Sequence, residues 1–295
     1  MHRRNLIVFL FVALAVAGLA TASVASAAEP DSNRPYTGHL LLAQPGARAA
    51  AMGGVFCALD DPSAVGLWNP ACLAYVTEQN VACVVSSRFE SDFVLGAGYT
   101  RPGLGLAIFS AGAWDIEAVD EFGNPTGAFL STGETALVGA GALRLGPASV
   151  GASVIGYWNQ LADATGQGFT ADLGVVYAAG PVRLGAVAKA VVGRISYEDD
   201  TVDGFDPYVA FGASADIVEN FTLAADFEAS GRLKVGGELR LRKVAVRAGS
   251  AVRAGQVEMV TAGAGFGIGP VHIDYAVQTH SALASQHSVC ASVRF

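Results

Sequence analysis

From Gln79 to Phe295 the chain repeats one pattern, in which apolar side chains take every second position over a short run and a Gly- or Pro-containing break follows. A period of two is the signature of a β-strand with one apolar face. In the run 169–177 the odd positions Phe169, Ala171, Leu173, Val175 and Tyr177 are apolar, and Thr170, Asp172 and Gly174 fall between them. In 182–192 the apolar set is Val182, Leu184, Ala186, Ala188, Ala190 and Val192, against Arg183 and Lys189. Phe221, Leu223, Ala225 and Phe227 alternate with Thr222, Asp226 and Glu228, and Leu233, Val235, Leu239 and Leu241 with Lys234, Glu238, Arg240 and Arg242. Each run keeps one face free of charge.

The pattern predicts about fourteen strands, over 79–88, 92–101, 103–113, 132–145, 147–159, 166–179, 181–194, 206–217, 219–229, 231–242, 243–253, 256–268, 270–279 and 285–295. This leaves about fifteen residues for each strand with its connection, enough for the ~9–11 that a tilted membrane strand needs. Arg101-Pro102-Gly103, Gly146-Pro147, Gly180-Pro181 and Gly269-Pro270 fall at every second connection, where tight turns are expected. The intervening connections include the long ones, 114–131 and 195–205. Short turns at one end and longer loops at the other are the asymmetry of outer-membrane barrels, whose short turns are periplasmic. An even strand number puts both termini on that side too.

Alternation alone does not separate such a barrel from a soluble sandwich, and composition decides between them. Charged residues are 15% of the chain, where soluble domains carry roughly 25%. The polar faces are Gly, Ser, Thr and sparse charges of both signs. Phe93, Tyr99, Trp158, Phe169, Tyr177, Phe221 and Phe295 lie near strand ends on the apolar face, as interfacial girdles do, whereas Phe211 and Tyr275 sit mid-strand. The last run, Val289, Ala291, Val293 and Phe295, ends on an aromatic, similar to the strand by which such barrels are recognised for insertion.

The first 28 residues combine Arg3 and Arg4, an uncharged run over 6–20 and small residues ending in Ala25-Ser26-Ala27, the layout of a cleavable secretory signal. Beyond it no run approaches the ~20 apolar residues of a spanning helix, so a bilayer could be crossed only by a closed sheet. Without Arg3 and Arg4 the charge of −8 becomes about −10. That excess of acid argues against nucleic acid as a partner.

One stretch breaks the pattern. Residues 45–74 are Gly/Ala-rich and lack alternation; Met52, Val55, Phe56, Leu59, Leu67 and Trp68 flank a turn at Asp60-Asp61-Pro62-Ser63, which suggests two short helical turns. Its elements, Gly46-Ala47-Arg48, Met52-Gly53-Gly54, Ala58-Leu59-Asp60-Asp61 and Trp68-Asn69-Pro70-Ala71, resemble the N-terminal signature of the PorV/PorQ family, outer-membrane barrels related to the FadL fatty-acid channels. Asp120 to Gly127 resembles that family's first long loop, and Ile273-Asp274-Tyr275-Ala276 its penultimate strand. Asn69-Pro70-Ala71 is the most specific element, since FadL relatives carry it in the hatch that plugs the barrel. The resemblance implies three parts: a signal over 1–28, a hatch inside the barrel over 29–75, and the barrel itself over 76–295. The departures are Cys57, Cys72 and a small size with modest loops, which speak against a large external binding platform or a roomy ligand pocket.

The resemblance implies a non-enzymatic accessory of protein export or surface attachment, with secretion components or surface-attached proteins as partners beside outer-membrane lipid. The alternative, implied by the FadL relation, is a passive channel with a hydrophobic small molecule as ligand. No catalytic group, cofactor or metal is expected. His272 and Asp274 share one polar strand face without a nucleophile. Glu198, Asp199, Asp200, Asp203 and Asp206 crowd one loop without the spacing of a calcium site. The glycines of Gly263-Ala264-Gly265-Phe266-Gly267 alternate as in a strand, unlike a dinucleotide loop.

Two structural expectations follow from spacing. Cys57 and Cys72 flank one turn in an exported chain, which predicts a disulfide, whereas Cys83 and Cys290 fall on opposite faces and should stay unpaired. Counting back from tight turns sets Asp172 opposite Lys189, Glu238 opposite Arg247 and Asp226 opposite Lys234, as lumenal ion pairs.

Overall fold

The computed structural model describes residues 46–61, 68–88, 92–120, 122–161, 164–205, 207–281 and 283–295. The signal over 1–28, the first part of the hatch over 29–45 and Asp206 lie outside the described residues. The alternating runs form β1 (Asn80–Arg88), β2 (Asp92–Arg101), β3 (Leu104–Val119), β4 (Pro125–Leu145), β5 (Ala148–Leu161), β6 (Ala164–Ala179) and β7 (Val182–Tyr197). A two-residue ribbon, β8 (Val202–Asp203), folds back on Ile195 and Ser196. The wall continues with β9 (Tyr208–Val218), β10 (Phe221–Glu228), β11 (Arg232–Leu241), β12 (Val244–Arg253), β13 (Gln256–Ile268), β14 (Val271–His280) and β15 (Gln286–Arg294).

Setting β8 aside, fourteen antiparallel strands close into a barrel: each pairs with its chain neighbours, and β1 pairs with β15 from Asn80↔Arg294 to Ser87↔His287. Closure satisfies every strand edge, the condition for crossing lipid with a sheet. The wall sets Leu104, Leu106 and Ile108 outward and exposed, while Ala107 and Phe109 point in and are buried. Phe93, Trp158, Phe169 and Phe295 are outward and exposed, but Tyr177 is only 4% exposed, packed with Val175, Ala186 and Ala188.

The tight turns sit at one end. Gly103, Gly146, Gly180 and Gly269 all take positive φ there, and Arg242 adopts the same conformation between β11 and β12. At the other end the expected long connection 114–131 is largely strand: β3 and β4 run on as a hairpin as far as Val119↔Pro125, with irregular register after Ala113. Asp120 closes its tip by accepting the N–H groups of Phe122 and Asn124. Ordinary alternation fades in this stretch, where residues 125–131 of β4 are exposed on both faces. Where β3 and β4 leave the apolar belt, Ser110 and Thr135 meet on the outer face at 3.4 Å.

Inside, the barrel is divided. The inward positions of β1–β5 hold one buried apolar cluster, Val84, Val94, Phe109, Val138, Ile155 and Tyr157, flanked along the same faces by buried Asn80, Ser86, Arg88, Thr100, Ser149 and Ser153. Phe205, following β8, stands edge-on to Tyr157 with ring centroids 5.5 Å apart. The inward positions of β10–β13 carry Asp226, Glu228, Lys234, Glu238, Arg247 and Thr261, all buried.

Candidate functional site: the hatch and the lumen

The non-alternating stretch lies against these inward positions. It begins with a helical turn, α1 (Ala47–Ala51), and ends with the 3-10 turn Pro70–Tyr75. Gly53 and Gly54, both with positive φ, stop the first turn, so Met52 to Leu59 is not the helix that its apolar spacing suggests.

The hatch motif is a set of wall contacts. Gly53 N–H donates to Thr261 Oγ1, which donates in turn to the carbonyl of Ala51, both at 2.8 Å. Asn69 caps the 3-10 turn, its Oδ1 accepting from Ala71 N–H, and its Nδ2 reaches the carbonyls of Cys57 (2.7 Å), Val175 (3.1 Å) and Ala186 (3.2 Å). One buried carboxamide thereby ties together two parts of the hatch and strands β6 and β7. Pro70 supplies the first residue of the turn, where a missing N–H is harmless, and Ser149 Oγ donates to the carbonyl of Ala71. Met52 packs with Val55, Leu59 and Ala224. Trp68 lies tilted against Phe56 with ring centroids 5.2 Å apart, and Phe56 also carries the Lys234 ammonium over its face.

The wall makes room for this segment with glycine. A Cβ at Gly151 would collide with Pro70 and Ala71, at Gly174 with Asn69, at Gly185 with the Cys57 carbonyl, at Gly236 with Met52 and at Gly249 with Gly53. All five are inward positions on different strands. The signal was present in the sequence as glycines on polar strand faces, but it could not be assigned without knowing what they faced.

Of the three expected ion pairs, two positions meet. Lys189 Nζ lies 2.9 Å from Asp172, across a bulge: Leu173↔Ala188 and Ala171↔Val192 leave Lys189 to Val191 opposite Asp172 alone. Asp172 holds the bulge by accepting from Ala190 N–H and Ser153 Oγ. Arg247 Nε lies 2.6 Å from Glu238, itself shared with Arg240 and with Arg48 of the hatch. Arg48 was not anticipated. It grips Glu238 with two nitrogens at 2.8 and 2.9 Å and donates a third bond to the Asp60 carbonyl.

The third expectation is corrected. Asp226 and Lys234 are opposed, but Lys234 Nζ goes to Glu228 at 2.6 Å, and Asp226 Oδ2 accepts the N–H groups of Phe56 and Cys57. The predicted disulfide is also corrected: Cys57 and Cys72 are both free thiols. Cys72 Sγ faces the Cys57 carbonyl at 3.9 Å, because Cys57 turns its side chain to the wall at Gly212. Burial pushes both thiols well above the ordinary range. Cys83 points out and Cys290 in, and neither forms a disulfide.

No protein-family model and no curated protein matches the chain. Solved structures do. It is similar to the toluene transporter TbuX of Ralstonia pickettii, at 15% identity over 85% of this chain and 98% of that one, with a TM-score of 0.59. The toluene transporter TodX of Pseudomonas putida gives 15% identity, 83% and 96% coverage and a TM-score of 0.60. The chain therefore shares its fold, a closed antiparallel barrel, with these two transporters.

Proposed function

We propose that the protein is an outer-membrane channel for hydrophobic small molecules, with the hatch as its gate. The observation that carries this reading is the apolar cluster on the inward face of β1–β5: Val84, Val94, Phe109, Val138, Ile155 and Tyr157 face inward, where a pore for hydrophilic solutes would be polar. The hatch, seated by Asn69 and Arg48, separates that surface from the short-turn end. Likeness to two toluene transporters supports the same class of solute. On this reading the short turns, the start of β1 and the end of β15 face the periplasm, and the β3–β4 hairpin faces outward.

The test is uptake of labelled toluene by a host lacking its own channel. Uptake should exceed the empty vector, fall on Val138→Asp and change on Trp68→Ala or Asn69→Ala. No gain over the vector with correctly assembled protein would end this reading.

A second reading, the PorV/PorQ-like accessory of export or surface attachment, draws on the closed packing of Phe56, Leu59, Trp68 and Leu73, all buried. On that reading the β3–β4 hairpin and the 195–205 segment contact a protein partner. Shortening them would then abolish surface display of that partner and leave solute uptake untouched.

A further inference from the structure

At the short-turn end, beneath the hatch, the lumen holds a cavity of about 570 Å³, within the range of small-molecule sites. Part of its wall is a contiguous polar patch on three neighbouring strands. Asn80 of β1 is opposed to Arg294 of β15, and Ser292, two residues earlier on the same face of β15, is opposed to His272 of β14. All four line the cavity.

Two of these groups are buried without partners. Asn80 is 2% exposed, and neither its amide nitrogen nor its oxygen is hydrogen-bonded; His272 Nδ1 is likewise buried and unbonded. Buried polar groups in folded proteins nearly always have a partner, so these point to something that enters the cavity.

The surrounding charge selects the visitor. Among the lining cations, Arg48, Arg240 and Arg247 share Glu238, Arg247 also holds Asp274, and Arg183 pairs with Asp60. Arg242, Lys243 and Arg294 form no ion pair among the described residues, and of the lining acids Glu78 and Asp216 form none. Over the whole lining, seven Arg and Lys side chains face six Asp and Glu side chains, which leaves room for one negative charge. A guanidinium fork flanked by a hydroxyl, an amide and an imidazole suits a carboxylate, and Leu59 and Tyr75 line the same cavity as apolar surface for an organic body.

We infer that this cavity binds small organic monocarboxylates, with Arg294 taking the carboxylate and Asn80, Ser292 and His272 completing its hydrogen bonds. The site lies on the far side of the hatch from the apolar cluster of β1–β5, so it is separate from the path proposed for neutral solutes.

The test is calorimetric titration of the full-length protein in a non-ionic detergent with benzoate, its neutral analogue benzamide and inorganic phosphate. Benzoate should bind, with benzamide and phosphate each about tenfold weaker or worse, as expected for loss of a charge-assisted hydrogen bond or poor charge match. Arg294→Gln and Ser292→Ala should weaken benzoate, the first by about tenfold, whereas Arg101→Gln, at the same end but outside the cavity, should not. Asn80→Leu should act like Arg294→Gln if its barrel forms, judged by heat-modifiable mobility; if it does not, the two β15 variants decide. Absent benzoate heat, equal binding of benzamide, tighter binding of phosphate, or unchanged affinity in Arg294→Gln would each overturn the inference. Uptake that fails while benzoate binding persists would count against the channel alone.

Discussion

Asp226 and Lys234 stand directly opposite one another on β10 and β11 and do not pair. The lysine turns to Glu228, two residues along β10, and the aspartate turns inward to two hatch amides. Asp226 is 2% exposed and acts as a wall bracket for the hatch. Replacing it by Leu should orphan the Phe56 and Cys57 N–H groups, at about 1–3 kcal/mol each. Asn keeps an acceptor and should cost less. Limited proteolysis of the hatch should rank Leu above Asn above the parent in cleavage rate; equal rates would deny Asp226 this role.

The wall glycines carry a second prediction. Gly174→Val and Gly185→Val should leave the barrel able to form but deny the hatch its seat, because each side chain would occupy space held by Asn69 or the Cys57 carbonyl. Small hydrophilic solutes should then leak through, measured as single-channel conductance in planar bilayers. Gly123→Val, with open space around its position, serves as the control and should not conduct, although its positive φ strains the hairpin tip.

Glu238 is 1% exposed and contacts three guanidinium groups. Glu238→Gln removes the only carboxylate shared by Arg48 and Arg240 and should destabilise the seated hatch by about 3–5 kcal/mol, the range for breaking a buried pair. Arg48→Met, which removes one of three cations, should cost less. Thermal unfolding of purified protein in detergent would rank the two; the reverse order would show that Arg48 alone carries the contact.

The thiols give the most direct check on the hatch. Non-reducing mass spectrometry should find Cys57 and Cys72 unbonded. Because burial raises both thiols far above neutral pH, alkylation at pH 8 should be negligible in the folded protein and complete in denaturant. Rapid labelling of Cys72 without unfolding would mean that the hatch is loosely seated.

Strands and their register were legible because two signals agreed, alternation along each run and Gly-Pro turns between runs; Glu238↔Arg247 follows from the turn at Arg242 and Lys243 by counting alone. What counting could not supply was any third party. Opposition in the ladder says nothing of Glu228 competing for Lys234, or of hatch amides competing for Asp226. The disulfide failed for a related reason: 15 residues of separation bring two cysteines near each other, but the wall decides which way Cys57 points. The bulge at Ala190 escaped because the alternation of β7 runs through it unbroken in sequence, although its φ is positive. Asn69 was legible as a motif, while its three carbonyl partners were not, since two of them lie more than a hundred residues away.

The seam between β1 and β15 sets a condition on the hatch. The segment that fills the lumen precedes every wall strand along the chain, and the strand that completes the enclosure is the last of them. Asn69 cannot find the Val175 and Ala186 carbonyls until about half the wall exists, and Gly53 must wait for Thr261 on β13. The hatch is therefore held by strands drawn from far along the wall, like a ship in its bottle, and its full set of contacts exists only when β5, β6, β7 and β13 are all in place.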